Sequence, residues 1–152
     1  MGEPAVVFFD IGDTLASARF GADGRLAGLD VYPFVTDVLA RLRSRTTQLA
    51  GVGLISNTGS ETAASMRRVL DDCGLAPCLD EDLWLFSSVE GLDKSKREFF
   101  ELAASRAGAA PARCVFVGES EVERRVAESA GFATSPHPLH VFHLLDQQFS
   151  DD

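Results

Sequence analysis

The chain has 152 residues, 45% of them hydrophobic and 24% charged, which is the composition of a soluble domain with a sizeable core. Its formal net charge of −9 disfavours nucleic acid and anionic membranes as partners, although a phosphate can still be bound by backbone N–H groups and one lysine. No apolar run approaches the roughly 20 residues of a membrane span. Three cysteines without a C-x-x-C pair predict a reduced, cytoplasmic setting. Without repeats or linkers, we expect a single domain over residues 1–152.

The predicted elements begin with a strand at residues 6–9, where four consecutive apolar residues are typical of a parallel strand buried on both faces. Asp23 and Gly24 then predict a β-hairpin, because an Asp-Gly pair readily takes positive φ angles. A helix is predicted over 32–45. Further strands are predicted within 51–60, 82–88, 114–120 and 132–138, and further helices at 61–75, 94–108, 121–131 and 139–149. This alternation predicts a three-layer, Rossmann-like α/β fold with a mainly parallel, five-stranded sheet.

Polar residues follow four of the predicted strands. They are Asp10, Ser56, Ser87 or Ser88, and Glu119. In an open parallel sheet the carboxyl ends of the strands form the ligand crevice. We therefore expect these side chains to converge on one site.

The residue types at these positions are those that phosphoryl transfer through an aspartate requires. The Asp10 carboxylate can attack phosphorus and form a covalent intermediate. The Ser56 hydroxyl and neighbouring N–H groups can hold phosphoryl oxygens, and Lys94 can neutralise charge. A second carboxylate, Glu119, can hold Mg²⁺.

Four segments, in the same order, resemble the motifs of the haloacid dehalogenase (HAD) superfamily. They read "FFDIGDTL", "LISNTG", "GLDKSKREFF" and "CVFVGESEVERRVAESAGF". The third motif has a lysine six positions before a phenylalanine, which favours Lys94 over Lys96 because Phe100 lies at that spacing. The resemblance covers nearly the whole chain and implies a HAD-like fold.

The resemblance also implies roles for individual residues. Asp10 would be the nucleophile and a Mg²⁺ ligand, with the backbone carbonyl of Gly12 and the carboxylate of Glu119 as the other protein ligands. Ser56 and the N–H of Asn57 would bind the phosphoryl oxygens. Lys94 would stabilise both the nucleophile and the transferring group.

The first motif departs from the family pattern at Gly12. Phosphatases of the family have there an aspartate that protonates the leaving group, a role generally worth 10²–10⁴-fold in rate. Asp13 lies one position late, and it either reaches round to act as the acid or is a turn residue. The fourth motif is also altered, because Arg124 stands where a further aspartate is common. Glu121 and Glu123 could compensate, or only complement the helix dipole.

No large cap is expected over the site. Only 45 residues lie between Asp10 and Ser56, and the hairpin, which matches the flap of the family, and one helix use most of them. The resemblance therefore implies an open site for a phosphorylated small molecule or macromolecule, or a homo-oligomer that shares caps. It disfavours a cap-dependent dehalogenase.

Two hypotheses of function follow. The leading one is a HAD-type hydrolase with weak, Mg²⁺-dependent phosphatase-like chemistry through an aspartyl-phosphate on Asp10. The alternative is a catalytically degenerate HAD-fold module that binds or regulates, which Gly12 and Arg124 favour. A dinucleotide-binding protein is disfavoured because no G-x-G-x-x-G opens a helix.

Overall fold

The computed structural model describes residues 3–149; residues 1, 2 and 150–152 of the predicted domain lie outside the described residues. The strands are β1 (Ala5–Phe9), β2 (Ala16–Phe20), β3 (Leu26–Val31), β4 (Leu49–Ser56), β5 (Trp84–Phe86), β6 (Cys114–Val117) and β7 (Ala133–Ser135). The helices are α1 (Val35–Arg43), α2 (Ala63–Cys73), α3 (Ser87–Glu90), α4 (Arg97–Ala107), α5 (Glu121–Ser129) and α6 (Val141–Gln148).

Five of the strands form one parallel sheet in the order β5-β4-β1-β6-β7. The central strand β1 is buried on both faces, and its alternate side chains enter two cores. Val7 and Phe9 pack with α1, α2 and α6, whereas Val6 and Phe8 pack with α4 and α5. The predicted three-layer α/β fold is confirmed, and Asp10 follows the strand at the middle of the sheet.

The predicted hairpin is formed by β2 and β3, which pair antiparallel outside the main sheet. Its turn is longer than a two-residue Asp-Gly connection, and of that pair only Gly24 has a positive φ, +77°. Glu61, just before α2, holds the hairpin, because its carboxylate accepts a hydrogen bond from Leu26 N–H at 3.2 Å and lies 3.5 Å from Arg25. The hairpin is thus fixed against the start of α2.

Two of the predicted boundaries that were wrong lie beside the candidate site. Helix α4 begins at Arg97 and not at residue 94, because the Asp93 carboxylate accepts hydrogen bonds from the backbone N–H and the hydroxyl of Ser95 and forms a turn there. The strand predicted within 82–88 ends at Phe86, and the next four residues form α3. Both differences between prediction and structure lie beside the carboxyl ends of the strands.

The connections at the site are short. Between β1 and β4 the chain forms only the hairpin and α1, and between β4 and β5 it forms α2 and two short 3₁₀ turns. None of the helices within residues 3–149 is long and apolar enough to cross a membrane.

The first prediction concerns Gly53, in the middle of β4. A Cβ at this position would lie 2.6 Å from Leu83 Cβ and would also overlap the Leu83 carbonyl oxygen. Gly53→Ala should lower the free energy of unfolding by about 2 kcal/mol in urea titrations, because overpacking a tight core typically costs 1–3 kcal/mol.

Gly12→Ala is the matched control, because a Cβ there meets nothing within 4 Å and the residue has no positive φ. Its change should stay within about 0.5 kcal/mol. Equal losses in the two variants would contradict the close approach of β4 to Leu83.

Candidate active site

Asp10 lies directly after the central strand, and its side chain is almost fully buried. The residue is 6% exposed, and its backbone N–H donates to the carbonyl oxygen of Val117 on β6 at 2.9 Å. Its Oδ2 accepts a hydrogen bond from the hydroxyl of Thr14 at 3.3 Å. The carboxylate is therefore held between the carboxyl ends of two neighbouring strands.

Lys94 is the cation at this site. Its side chain is 3% exposed, and its Nζ lies 2.5 Å from Asp10 Oδ1 and 2.9 Å from Glu123 Oε1. Lys96, the alternative from the sequence, is exposed and lines a different cavity together with Asp93. Within the described residues, the structure thus brings Lys94 to the aspartate and leaves Lys96 at the surface.

The electrostatics of the pair are set mainly by burial. Loss of solvent raises the pKa of the Asp10 carboxyl above its ordinary value, and Lys94 opposes that rise through its charge and its hydrogen bond. The Glu123 carboxylate adds a smaller rise. Lys94 therefore favours the charged form of a carboxylate whose burial favours the neutral form.

Glu123 is the site residue whose role was left open by the sequence analysis. It lies in the first turn of α5, and its backbone N–H donates to the Ser120 hydroxyl at 3.3 Å, so Ser120 caps the helix. Glu121, the other candidate, is exposed and pairs with Arg125 at 2.7 Å. The position of Glu123 in the sequence could have indicated this role. It lies in the first turn of the helix that follows β6, and β6 is paired with the strand that precedes Asp10.

Ser56 and Asn57 complete the strand-end cluster. Ser56 ends β4, which is paired directly with β1, and it is 6% exposed. The side-chain oxygen of Asn57 accepts a hydrogen bond from the backbone N–H of Lys94 at 3.0 Å. Asn57 therefore fixes the loop that carries Lys94. This role of its side chain was not predicted from the sequence.

Ser87 and Ser88 join the ends of β4 and β5. The Ser87 hydroxyl accepts from Thr58 N–H at 2.8 Å, and the hydroxyls of Ser88 and Thr58 lie 2.6 Å apart. These contacts brace the backbone around Asn57. Both serines are therefore supports of the site.

The residues that the resemblance implies as metal ligands offer only oxygen atoms: the carboxylates of Asp10 and Glu119 and the carbonyl of Gly12. Glu119 is exposed, and its backbone N–H donates at 3.3 Å to Thr14, whose hydroxyl in turn reaches Asp10. Within residues 3–149 no group of three or more His, Cys, Asp or Glu side chains could hold a metal. The donor set fits a hard cation such as Mg²⁺, which is usually held by one or two carboxylates and several waters.

Asp13 occupies the turn after β1. Its φ is +62°, its backbone N–H donates to Ala16 at 2.8 Å, and its side chain is exposed. Aspartate is among the few non-glycine residues that tolerate this left-handed conformation. At Gly12 a side chain would point into open space, because an added Cβ meets nothing within 4 Å.

The buried Asp–Lys pair lies at the carboxyl edge of a parallel sheet, where open α/β folds bind their ligands. The sequence matches the haloacid dehalogenase-like hydrolases over residues 23–131, and the chain belongs to this family. The predictions of a HAD-like protein and of a hydrolase are confirmed at this level. The matched range includes Ser56, Lys94 and Glu119 but begins after Asp10. No curated protein matches the sequence.

Solved structures share the fold. A HAD-superfamily hydrolase from Ehrlichia chaffeensis gives a TM-score of 0.70 at 13% identity, over 97% of this chain and 98% of its own. One from Geobacter sulfurreducens PCA, of subfamily IA, gives 0.69 at 17% identity, over 93% and 100%. A predicted phosphoglycolate phosphatase from Haemophilus somnus gives 0.59 at 22% identity, over 70% of this chain and 44% of its own.

The second prediction concerns the buried charges. Lys94→Met should lower the free energy of unfolding at pH 7 in metal-free buffer by about 3 kcal/mol, because removing one partner of a buried ion pair leaves an uncompensated charge. Asp10→Asn/Lys94→Met should recover much of this loss, because the Glu123 side chain is 25% exposed and can reach water.

The loss in Lys94→Met should shrink as the pH falls from 7 towards 4. Without the lysine the pKa of Asp10 rises further above its value in the unfolded chain, so the folded state takes up a proton first and gains relative stability. Urea titrations at several pH values measure this. A pH-independent loss would contradict the assignment of the cost to the Asp10 carboxylate.

Proposed function

We propose that the chain hydrolyses a phosphate ester through an aspartyl-phosphate on Asp10, with Mg²⁺ as cofactor. The observation that carries this proposal is the nearly buried Lys94, within 2.5 Å of the Asp10 carboxylate at the carboxyl edge of the sheet. A structural ion pair has no need of that position, whereas a nucleophile that must remain charged at a ligand crevice requires it.

In the first step the Asp10 carboxylate attacks phosphorus, and the bond to the leaving oxygen breaks with its electron pair on that oxygen. Water then attacks the phosphorus of the acyl phosphate, which releases inorganic phosphate and restores the carboxylate. Ser56 and the N–H of Asn57 bind the phosphoryl oxygens, and Lys94 stabilises their negative charge. Mg²⁺, held by the carboxylates of Asp10 and Glu119 and the Gly12 carbonyl, would add neutralising charge.

The proposed activity is weak on ordinary alkyl phosphates. Gly12 offers no proton to the leaving group, and the exposed, left-handed turn position of Asp13 favours a turn residue over an acid. We expect Asp13→Asn to leave the ratio of alkyl to aryl phosphate turnover unchanged. The leaving oxygen then departs without protein-supplied protonation, which restricts efficient turnover to good leaving groups.

We further propose that the protein is cytoplasmic and that its site has no large cap. All three cysteines, Cys73, Cys78 and Cys114, are free thiols, which supports a reduced compartment. The short connections around the site support an open crevice that admits a small or a macromolecular phosphate, or that a second copy covers. The net charge of −9 argues against nucleic acid as a partner.

The alternative, a module that binds without turnover, is favoured by one observation. The Arg124 guanidinium donates to the Gly118 carbonyl at 2.8 Å, beside Glu119, where it lowers the negative charge available to a metal. This module would bind a phosphorylated ligand at Ser56 and Lys94 and leave it intact.

The third prediction separates the two. Wild-type protein with Mg²⁺ should release phosphate from p-nitrophenyl phosphate, because this leaving group needs no acid. Asp10→Asn and EDTA should each abolish release, and the near-isosteric change should leave the thermal unfolding curve cooperative. Absence of release at high enzyme concentration, from folded wild type, would favour the binding module.

The fourth prediction concerns the missing acid. Gly12→Asp should raise kcat/KM for β-glycerophosphate by about 10²-fold, at the lower end of what general acids contribute, and should change p-nitrophenyl phosphate turnover much less. Gly12→Asn is the matched control, because it has the same size and no acidic proton. Equal gains in both variants would show that bulk at this position, and not proton transfer, limits the reaction.

A further inference from the structure

A cavity of about 410 Å³ lies between the hairpin and the start of α2, and the roles assigned above use only the residues at one end of it, Gly12, Ser56 and Asn57. Ile11 and Gly12, the two residues after Asp10, and Ser56, at the end of β4, line the side nearest the candidate nucleophile. A phosphoryl group on Asp10 and Ser56 would therefore have its leaving group at the opening of this cavity.

The hairpin side of the cavity is apolar. Its lining side chains there are Ala18, Phe20, Leu26 and Leu29, with Met66 of α2 beside them. Phe20 is 66% exposed although it is a large aromatic residue, and its ring stands at the rim. Such a wall binds a planar apolar group and offers it few hydrogen bonds.

Among the described residues, Glu61 is the one charged residue that lines the cavity, and it is 8% exposed. Its carboxylate accepts from Leu26 N–H and, at 2.9 Å, from the Ser65 hydroxyl, and these hydrogen bonds lower its pKa. Within residues 3–149 no lysine or arginine lines the cavity, and the Arg25 guanidinium lies 3.5 Å from Glu61. A second anionic group on the leaving group would therefore meet like charge without a cation to pair with.

We propose that this cavity is the leaving-group site and that the substrate class is an aryl phosphate monoester whose aromatic body is uncharged. The inference rests on the proposed function and narrows it. An aryloxide departs with the electron pair of the broken P–O bond and takes its proton from solvent, so the absence of an acid at Gly12 is compatible with turnover. An apolar wall and a fixed carboxylate disfavour a leaving group that carries a second phosphate, such as that of a sugar bisphosphate.

The test combines turnover and binding with two esters, naphthyl phosphate and a naphthyl phosphate with a carboxylate on its far ring, which differ in charge but hardly in the acidity of the leaving oxygen. Wild type should favour the uncharged ester at least about tenfold in kcat/KM, because a buried like charge costs more than the 1.4 kcal/mol of a tenfold change. Acetyl phosphate, which has no aromatic body, reports the chemistry alone.

Binding is measured by calorimetry on Asp10→Asn, which holds the esters without turnover. Naphthyl phosphate should bind at least about tenfold more tightly than inorganic phosphate, because the cavity buries apolar ring surface. Adding Ala18→Trp, which fills the cavity, should abolish this gain. Adding Leu139→Ser, which changes an exposed apolar residue that does not line the cavity, should leave it intact.

The outcomes separate the two proposals. Suppose that acetyl phosphate turnover depends on Asp10. Equal kcat/KM for the two naphthyl esters, or unchanged affinity for naphthyl phosphate in the Ala18→Trp variant, would then overturn the cavity assignment and leave the proposed function standing. Tighter, Ala18-dependent binding of the uncharged ester without turnover of any substrate would uphold the ligand class and reject hydrolysis.

Discussion

The site depends on the burial of one lysine between two carboxylates. Taking an ammonium group and a carboxylate out of water costs several kcal/mol each, which their mutual attraction repays only when the contacts are close and the remaining polar atoms are satisfied. Here Lys94 lies 2.5 Å from Asp10 and 2.9 Å from Glu123, and the second oxygen of Asp10 accepts from Thr14. The contacts come from β1, from the loop before α4 and from the first turn of α5, so the pair forms only when three parts of the chain are in place.

The surrounding hydrogen bonds position these charges. Thr14 joins the turn after β1 to β6, because its hydroxyl donates to Asp10 and accepts from Glu119 N–H. Asn57 joins the end of β4 to the lysine loop through its contact with Lys94 N–H. A hydrogen bond to each neighbouring strand end therefore restrains the ion pair, and the central position of β1 makes this possible.

The periodicity of the sequence predicted the sheet and five of the six helices, because buried parallel strands are short apolar runs and the helices have one apolar face. The strand-end rule placed Asp10 and Ser56 at one edge without any knowledge of strand order. The boundaries near Asp93 and Ser87 could not be predicted in the same way, because side-chain hydrogen bonds there compete with the helix and the strand. The role of Glu123 was also hidden, because a glutamate in the first turn of a helix is equally explained by the helix dipole.

Gly12 and the cavity both affect which leaving groups the proposed site can accept. A glycine at this position removes the proton donor, and it also leaves the opening of the cavity free, because no side chain extends over it. In the proposed reaction, an apolar wall with one fixed carboxylate favours the kind of leaving group that needs no proton, since aromatic oxygens are less basic than alkyl ones. We therefore propose that the missing acid and the apolar cavity belong to one specialisation of the site, and the burial of Lys94 beside them supports turnover over binding alone.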